Sequence, residues 1–430
     1  MTTSQTAADA LTRVAREEGG RILALLADRG YDLDLAEESI QDAYLRAAAA
    51  WTKGAVPDNP AAWIYTVARN SAIDRWRRAQ TAKRRASASA PLLEPASAED
   101  DGRRPIEELT EVGDEQLRLM LLCCHPALAR DVQVALTLRL VGGLTTAEIA
   151  AAYLVPEATI AQRIVRAKRK IRAARIPLVI PADLSERAET LATVLSLIFN
   201  EGYLASTADA GTLTRAQLAD QAIRLTATAA DALPGEPELG GLLALQLFHR
   251  SREAARVDAD GVLVPLADQD RAKWDRGLIA KGHRVLAMAM AQRRLGPWQV
   301  QALIAAEHAS GTARWDRVVR LYDLLMRMAP SPVVALNRAV AVAESEGPVK
   351  GLAAIDGVPG LDTFHLRHAA RGHLLGRLGR SAEARRAWER AAALTDNPSE
   401  VAFALSRVAQ IDGTGPGRRR DPVPSSRIGT

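Results

Sequence analysis

The sequence predicts an all-α protein. Aromatic residues make up only 4% of the 430 residues, alanine is abundant, and β-branched residues form no long alternating runs. This combination favours helices, because alanine has the highest helix propensity and strands are rich in β-branched and aromatic residues. A chain of this length exceeds what one hydrophobic core usually supports, so we expect two or three domains.

The charge of the chain is distributed unevenly. The formal net charge is only +5, but Arg and Lys are clustered, which indicates local basic surfaces. The N-terminal segment has no apolar core of signal-peptide length, and no run of about 18 apolar residues occurs in the sequence. We therefore expect a cytoplasmic protein without a membrane partner.

Two breaks and a tail divide the chain. Residues 86–105 include "APLLEPASAEDDGRR", which lacks helical periodicity and is expected to be a flexible linker. The second break, "IPLVIPADL" at residues 176–184, places two prolines across a possible helix end, and the polar residues 412–430 are expected to be disordered. Three ordered blocks are predicted, namely the first block (residues 7–85), the second block (residues 106–175) and the third block (residues 184–411). Because the first two blocks have apolar faces of their own, a chain that ends near Pro181 is expected to fold.

The first block contains an acidic segment followed by a basic one. "YDLDLAEESIQDAYLRAAAAW" is expected to be a solvated face or a protein-docking surface because of its acids, which are Asp32, Asp34, Glu37, Glu38 and Asp42. "PAAWIYTVARNSAIDRWRRAQTAKRR" has seven basic residues against one acid and interleaves Trp63, Tyr65 and Trp76. Cations that follow phosphates and rings that stack on unpaired bases are what single-stranded DNA binding requires. Core packing is the simpler interpretation for Trp63, whereas core packing and base stacking are equally open for Trp76.

The two cysteines, Cys123 and Cys124, are adjacent in the second block. Neighbouring helical positions point away from each other, so a disulfide between them would be strained. His125 adds a third possible ligand, but there is no second ligand cluster to complete a tetrahedral metal site. We expect two buried free thiols and no metal.

Two helix-like runs separated by a tight turn follow in the same block. In "LTTAEIAAAYLVPEATIAQRIVRAKRKI" the Thr145 hydroxyl can cap the first helix and Glu148 can return the bond, which forms a capping box. Pro156 suits the first turn of the second helix, because its missing N–H has no helical partner there. The second helix has an apolar face, which consists of Ile160, Ile164, Ala167 and Ile171.

The opposite face of this second helix is cationic. Arg163, Arg166 and Lys170 lie at spacings of three and four, and residues 156–175 contain seven basic residues and a single acid, Glu157. A solvated surface helix usually mixes both signs of charge, so it explains this pattern poorly. Helix-turn-helix proteins place such a face in the major groove of DNA. The second block is therefore predicted to bind duplex DNA.

The third block contains a weak internal repeat. "AARGHLLGRLGRSAEARRAWERAAALTDNP" resembles one tetratricopeptide unit, because residues that let two antiparallel helices pack closely occur at Gly372, Leu375, Ala384, Trp388 and Ala391. "WDRVVRLYDLLMRMAP" and "SPVVALNRAVAVAESEGPVKGLAAID" look like degenerate relatives of this unit. Stacked helical hairpins leave a concave face that suits a peptide or protein partner, which is the partner expected for this block.

Taken together, these segments resemble a known family. "AEESIQDAYLRAAAAW" with "NPAAWIYTVARNSAIDRWRR", and then "LTLRLVGGLTTAEIAAAYLVPEATIAQRIVRAKRKI", resemble the second and fourth conserved regions of bacterial extracytoplasmic-function sigma factors. The resemblance covers most of residues 7–175. "SLIFNEGY", "QDRAKWDRGLI" and "SPVVALNRAVAVA" further resemble the subgroup with a long tetratricopeptide-like C-terminal extension. The resemblance implies a protein that binds core RNA polymerase and directs promoter recognition, DNA melting and transcription initiation.

The resemblance also implies roles for individual residues. It places core-polymerase binding on the helix around residues 36–51, at Glu38, Gln41 and Asp42. It assigns the minus-ten promoter element to a segment in which an Asn reads a flipped base and cations hold its phosphates, at Asn70, Arg75, Trp76, Arg77, Arg78, Lys83 and Arg84. It assigns the minus-thirty-five element to Thr159, Gln162, Arg163, Arg166 and Lys170. Ala161 and Val165 occupy positions at which relatives often carry polar or aromatic side chains. The resemblance therefore does not identify which bases this helix reads.

Two other functions remain open from the sequence. A stand-alone helix-turn-helix regulator with a helical sensor domain would bind duplex DNA without polymerase and would not need the first block. A tetratricopeptide scaffold would bind a protein partner and ignore promoters. An enzyme is not expected and no cofactor is implied, because the sequence lacks GxxxxGK, HExxH and a nucleophile elbow. The charged residues of "QDRAKWDRG" are expected on one helix as salt-bridge partners, namely Asp270, Arg271, Asp275 and Arg276.

Overall fold

The structure is a computed structural model of the chain. It describes residues 3–86, 114–153, 155–180, 184–204, 215–256, 258, 262, 264–311, 313–395 and 397–413. Every regular element within these ranges is helical, which confirms the predicted all-α class. The described chain divides into two compact units between Gln246 and Leu247. The predicted linker at residues 86–105 and the predicted disordered tail lie almost entirely outside the described residues.

The first unit begins with a helical bundle in the first block. Its helices are α1 (Thr3–Glu17), α2 (Gly19–Asp28), α3 (Leu33–Trp51) and α4 (Pro60–Ala86). The side chain of Asp32 caps α3 by accepting a hydrogen bond from the Asp34 amide at 2.8 Å. Large side chains from these helices are fully or nearly fully buried, among them Ile22, Leu26, Ile40, Trp51 and Ile64. The half-buried Trp63 packs edge-on against Trp51 with ring centroids 5.6 Å apart, as the core interpretation predicts.

The second block supplies four more helices to the first unit. They are α5 (Asp114–Cys123), α6 (Arg130–Leu140), α7 (Thr146–Ala152) and α8 (Glu157–Ala173). The predicted capping box is present, because the Glu148 amide donates to the Thr145 hydroxyl at 3.1 Å and the Thr145 amide donates to the Glu148 carboxylate at 2.8 Å. Pro156 lies one position earlier than expected, since it is the N-cap residue of α8. The turn and the two helices that the sequence predicts are therefore formed.

The two cysteines are fully buried free thiols, as predicted. Burial raises the pKa of Cys124 to about 12, because the thiolate cannot be solvated there. The Cys124 sulfur also lies 3.9 Å from the Thr137 hydroxyl, which is buried as well. Thiols in this state behave as small core residues and react slowly.

The first part of the third block also belongs to the first unit. It forms α9 (Leu184–Leu204), α10 (Arg215–Ala232) and α11 (Pro237–Arg250), and the chain passes into the second unit within α11. Helix α9 packs against α5 and α6, and α10 packs against α5 as well as α9. Polar contacts join the same surfaces, because Gln221 donates to the Gly142 carbonyl at 3.1 Å and Arg130 donates to the Thr190 carbonyl at 3.3 Å. The prolines around Pro181 therefore do not mark the end of a compact unit.

The second unit is a series of helices in which neighbours along the chain pack together. They are α12 (Arg276–Ala291), α13 (Pro297–Ala309), α14 (Trp315–Met328), α15 (Pro332–Glu346), α16 (Pro348–Asp356), α17 (His365–Arg377), α18 (Ser381–Ala392) and α19 (Pro398–Ile411). Helices α17 and α18 form the hairpin in which the sequence shows its clearest repeat. Gly372 permits their close approach, because a Cβ atom there would lie 2.9 Å from the indole of the buried Trp388.

The segment "QDRAKWDRG" is not one helix, so the predicted salt-bridge arrangement is wrong. Asp270 caps a short 3₁₀ helix, Arg271–Lys273, by accepting from the Ala272 amide at 2.9 Å. Asp275 caps α12 by accepting from the Leu278 amide at 3.0 Å. Both carboxylates therefore start helices, which is a role that Asp takes more often than a position inside one.

Close packing in the second unit predicts a large effect for one small substitution. A Cβ atom at Gly351 would lie 2.2 Å from the Cβ atom of Ala343 and 2.6 Å from its Cα atom, so backbone must shift to admit it. We expect Gly351→Ala to lower the free energy of unfolding by about 1–3 kcal/mol, as overpacking does. Thermal unfolding measures the effect. Gly376→Ala is the control, because the site has nothing within 4 Å and alanine there should stabilise α17 by about 0.5–1 kcal/mol. Equal effects in the two variants would contradict this account.

Candidate nucleic-acid interface

Helix α8 separates a buried face from a charged face, as the sequence predicts. Its buried residues are Ile160, Ile164, Ala167 and Ile171. At 100° per residue, Gln162 and Arg166 lie opposite this apolar face, and both are exposed. Val165 lies beside Gln162 on the outward side of the helix and is 53% exposed. The outward face of α8 therefore presents an amide, a guanidinium and an apolar surface.

One flank of α8 is occupied by contacts within the second block. The half-buried Arg163 forms an ion pair with Asp131 at 3.2 Å, and the exposed Lys170 donates a hydrogen bond to the Ala127 carbonyl. Thr159 is half-buried in the first turn of the helix. Of the residues predicted to bind the minus-thirty-five element, Gln162 and Arg166 are thus the most accessible.

The other flank of α8 carries two cations that are not among the predicted promoter contacts. Lys168 lies 2.9 Å from Asp34 and also pairs with Glu37, and Arg172 lies 2.7 Å from Asp32 and also pairs with Asp34. Burial alone would lower the pKa of Lys168, but the charges and hydrogen bonds of Glu37 and Asp34 outweigh burial and raise it. Three acids of the first block's acidic segment are therefore paired with cations of the second block's basic helix; these are Asp32, Asp34 and Glu37.

Helix α4 presents the predicted minus-ten residues along its length. Asn70 is exposed near the middle of the helix, and Arg77 and Arg78, two turns further on, are exposed too. Trp76 is half-buried, so part of its ring remains accessible. The side chains of the remaining two predicted residues lie outside the described part of the chain; these are Lys83 and Arg84.

Arg75 differs from its neighbours because it is held by the acids of α3. Its guanidinium lies 2.6 Å from Glu38 and 2.8 Å from Asp42, and Asp42 also accepts a hydrogen bond from the Ser71 hydroxyl at 2.9 Å. The hydrogen bonds from Arg75 and then Ser71 lower the pKa of Asp42, and the bond to Asp42 raises the pKa of Arg75. This network joins a predicted DNA contact to two predicted polymerase contacts. The third predicted polymerase contact, Gln41, is exposed.

These surfaces are suited to binding and positioning a polyanion. Exposed guanidinium groups on α4 and α8 can pair with phosphate oxygens, and exposed amides at Asn70 and Gln162 can read the edge of a base. Among the described residues, no helix is both long and apolar enough to cross a bilayer.

Comparison with known proteins matches three segments of the chain to family models. Residues 14–82 match Sigma-70 region 2, residues 118–171 match Sigma-70 region 4, and residues 187–290 match a family of unknown function (DUF6596). An uncharacterized protein of Rhizobium meliloti (strain 1021) is 43% identical over 382 residues, which cover 86% of this chain and 89% of that relative. No solved structure is significantly similar to the chain.

The two Sigma-70 regions occur in the order that the sequence predicts. The first runs from the end of α1 through α4, and the second runs from α5 through α8. Proteins with both regions recognise promoter DNA in transcription initiation, and their partners are core RNA polymerase and promoter DNA. The chain belongs to the sigma-70 family, as an extracytoplasmic-function-like sigma factor with a C-terminal extension.

Proposed function

We propose that the protein binds core RNA polymerase through α3, melts the minus-ten element through α4 and docks on the minus-thirty-five element through α8. The observation that carries this proposal is the placement of Asn70, an exposed amide in the middle of a basic helix. Arg77 lies seven positions after Asn70 and therefore on the same helical face. An amide that reads a base edge beside a cation that holds the backbone is what capture of an unpaired base requires.

Melting by this route needs no covalent step. A protein that binds only the unpaired state shifts the duplex equilibrium toward melted DNA in proportion to its preference for that state. The half-buried Trp76 lies about 120° around the helix from Asn70, so it is not on this face. Helix α4 can therefore supply hydrogen bonding and charge to one exposed nucleotide.

Polymerase docking is assigned to the acids of α3. Arg75 holds Glu38 and Asp42 side by side, which fixes their orientation before any partner arrives. We infer that Arg75 acts chiefly as a positioning residue for these carboxylates, because its guanidinium is already engaged with both. Preordered side chains lose less conformational entropy on binding than mobile ones.

For the C-terminal extension we propose a supporting role in the same activity. Helices α9 and α10 pack directly on α5 and α6, so the extension contributes to the surroundings of the promoter-binding block. A groove of about 400 Å³ remains between this block and α9, with Tyr153 and Ile160 on one side and Leu197 on the other. The tetratricopeptide-like partner site in the second unit remains a proposal that rests on the repeat.

Run-off transcription tests the proposal as a whole. Purified full-length protein added to core RNA polymerase should produce promoter-dependent transcripts from the DNA upstream of its own gene. A stand-alone regulator would instead bind that DNA without polymerase and produce no transcript, and a scaffold would do neither. The match of residues 14–82 to Sigma-70 region 2 favours the first outcome, because a stand-alone regulator has no use for that region.

The different surroundings of Arg163 and Arg166 predict different effects on promoter binding. Arg166 is exposed, whereas Arg163 is already paired with Asp131. We expect Arg166→Ala to weaken promoter binding by the polymerase complex by about 1 kcal/mol, or roughly fivefold, and to lower the salt slope by about one if the contact is a phosphate. Arg163→Ala should have a smaller effect, because Arg163 in the DNA-free protein must break its ion pair with Asp131 before it can bind DNA.

Titration of promoter variants at several salt concentrations measures both effects. Asp131→Asn is the matched control, since it releases Arg163 and should strengthen binding in the same assay. A larger loss in Arg163→Ala than in Arg166→Ala would show that the Asp131 pair is not retained when the protein reaches DNA.

A further inference from the structure

The second unit contains a cavity of about 450 Å³. This volume lies in the range of about 300–1,000 Å³ that is typical of sites for small molecules. Helices α15, α17, α18 and α19 supply most of the wall, and the segment between α11 and α12 supplies the rest. The wall is mainly apolar and includes Trp388 and Phe403, whose rings meet edge-on with centroids 5.7 Å apart. The cavity can therefore accommodate an apolar group of a ligand.

One arginine of the cavity wall is held in a fixed orientation. The guanidinium of Arg407 lies over the ring of Phe403, 5.0 Å from its centroid, and also donates a hydrogen bond to the Gln410 side chain at 3.2 Å. A guanidinium that stacks on an aromatic ring still presents N–H donors along its edge. These donors match the planar fork of a carboxylate. Arg407 is thus oriented to receive a carboxylate at the cavity.

The carboxylate that pairs with Arg407 in this structure is Asp268. The nitrogen–oxygen distance is 3.7 Å, which exceeds the usual 2.7–3.2 Å of a hydrogen bond. Both side chains are partly exposed, and exposed pairs of this kind contribute little to stability. The backbone before Asp268 is anchored separately, because the Val264 amide donates to the Arg256 carbonyl at 2.7 Å and Gln269 donates to the Val264 carbonyl at 3.1 Å. Asp268 can therefore leave Arg407 while Val264 keeps its place.

A second acid of the cavity wall, Glu400, interacts with groups of the protein. Its carboxylate lies 3.1 Å from the His365 ring and accepts a hydrogen bond from the Thr395 hydroxyl at 2.6 Å. The contact with His365 lowers the pKa of Glu400 more than burial raises it, and the positive charge of Arg256 acts in the same direction. A ligand cation would gain little from a carboxylate that is already surrounded in this way. The charges of the cavity therefore favour an anionic ligand.

We propose that this cavity binds a small amphipathic carboxylate, whose apolar part packs against Trp388 and Phe403 and whose carboxylate replaces Asp268 on Arg407. A ligand that is free to move can form two parallel hydrogen bonds with the guanidinium edge, a geometry that the 3.7 Å contact with Asp268 lacks. The proposal goes beyond the proposed promoter function and does not depend on it. It gives the C-terminal extension a small-molecule site that is separate from any surface for a protein partner.

Three probes with the same apolar group test the choice of head group. Phenylbutyrate, phenylbutyramide and phenylbutylamine share a benzene ring and a short chain, and they end in a carboxylate, a neutral amide and an ammonium group. Isothermal titration calorimetry with the full-length protein measures the affinity for each probe. We expect phenylbutyrate to bind about fivefold more tightly than phenylbutyramide, because only the carboxylate gains an ion pair with Arg407 at this partly exposed site. Phenylbutylamine should bind most weakly.

Two charge variants test the replacement of Asp268. Asp268→Asn removes the competing carboxylate and should strengthen phenylbutyrate binding about fivefold without changing the affinity for phenylbutyramide. Arg407→Gln should weaken phenylbutyrate binding about fivefold and abolish the preference for the carboxylate. The matched controls are Asp316→Asn and Arg320→Gln, because these residues form an exposed ion pair at 2.9 Å and do not line the cavity. Both controls should leave the three affinities unchanged.

A third variant tests where the apolar group binds. Ala369 is a half-buried residue of α17 that lines the cavity. Ala369→Leu should fill part of the cavity and weaken phenylbutyrate and phenylbutyramide alike, because the two probes share the apolar group. Ala382→Leu is the control, since Ala382 is exposed on α18 and does not line the cavity. Thermal unfolding shows whether each variant is folded, and the charge variants decide the proposal if Ala369→Leu is not.

Support for the proposal would be tighter binding of phenylbutyrate that increases in Asp268→Asn and decreases in Arg407→Gln, with both controls unchanged. Equal affinities for phenylbutyrate and phenylbutyramide, or equal losses in Arg407→Gln and Arg320→Gln, would overturn the role of Arg407. Tightest binding by phenylbutylamine would overturn the anionic ligand class. No binding by any probe would overturn the small-molecule site and leave this surface to a peptide partner. Failure of the proposed function is a different result, because absent run-off transcription would not alter these titrations.

Discussion

A chain that ends at Ile180 is expected to aggregate and to lack a cooperative thermal transition, whereas a chain that ends at Gln246 is expected to fold. The reason lies in α6, where residues 133–138 are buried without interruption. A helix that is buried on every side needs partners on every side. The first block, α5 and α8 provide some of these partners, and α9 provides another.

The size of the effect follows from the apolar area that the shorter chain would expose. On α9, the side chains of Leu191, Val194, Leu195 and Ile198 are completely buried, and they form part of the core that would be lost. Each large apolar side chain returned to water costs about 1.5–3 kcal/mol. If the loss of α9 exposes three such side chains on the helices that remain, the cost is about 5–9 kcal/mol. That loss is comparable to the whole stability of a typical domain, about 5–15 kcal/mol.

Thermal unfolding and dye binding to exposed apolar surface distinguish the two chains. The packing leads to the opposite of the expectation from sequence, which was that a chain ending near Pro181 folds. A sharp transition for the chain that ends at Ile180 would restore that expectation. Transcription by the chain that ends at Gln246 then measures what the second unit contributes, because this chain retains α9 and α10.

The local features of the fold could be predicted because their causes are local. The Thr145 and Glu148 capping box and the apolar face of α8 depend on residues three or four positions apart, and both are present. The two buried thiols likewise follow from an apolar helical context. The order of two Sigma-70 regions was recognisable for the same reason, since each region is a continuous segment.

Contacts between distant segments could not be predicted in this way. Arg172 and Asp32 are 140 residues apart, and nothing near either residue identifies the other as its partner. The acidic segment was interpreted as a solvated or docking face, and its pairing with α8 appears only when both blocks are folded together. The prolines near Pro181 predict a boundary because proline ends helices, but ending a helix does not prevent the next helix from packing on the preceding ones.

Residue spacing alone cannot distinguish two local structures that place charged residues at the same separation. Asp270 and Asp275 are five residues apart, which fits ion pairs along a helix as well as caps at the starts of two successive helices. The spacing predicts ion pairs along one helix, and the structure shows two helix caps. Asp is a better N-cap than an interior helix residue, so capping propensity was the signal that could have decided between them.

Asn70→Ala is expected to reduce open-complex formation at the promoter by roughly 5- to 150-fold, which corresponds to the loss of a base contact worth about 1–3 kcal/mol. The side chain is exposed on α4, so its removal should leave the fold intact. Core-polymerase binding should stay near the wild-type value, because the docking acids Glu38 and Asp42 are held by Arg75 and not by Asn70.

Permanganate footprinting of unpaired thymines measures the open complex, and a pull-down with core polymerase measures docking separately. Gln80→Ala is the matched control, because it removes an amide from the same helix at a position rotated by about 80° from Asn70. Asn70→Asp distinguishes hydrogen bonding to a base from a contact that depends only on side-chain size. It keeps the side-chain shape, removes the amide donor and places a negative charge beside the DNA. If Asn70 reads a flipped base, Asn70→Asp should be at least as defective as Asn70→Ala, while Gln80→Ala should match the wild type. Footprints that are unchanged in both Asn70 variants would show that α4 does not read a flipped base through Asn70. The helix would then be a phosphate-binding surface.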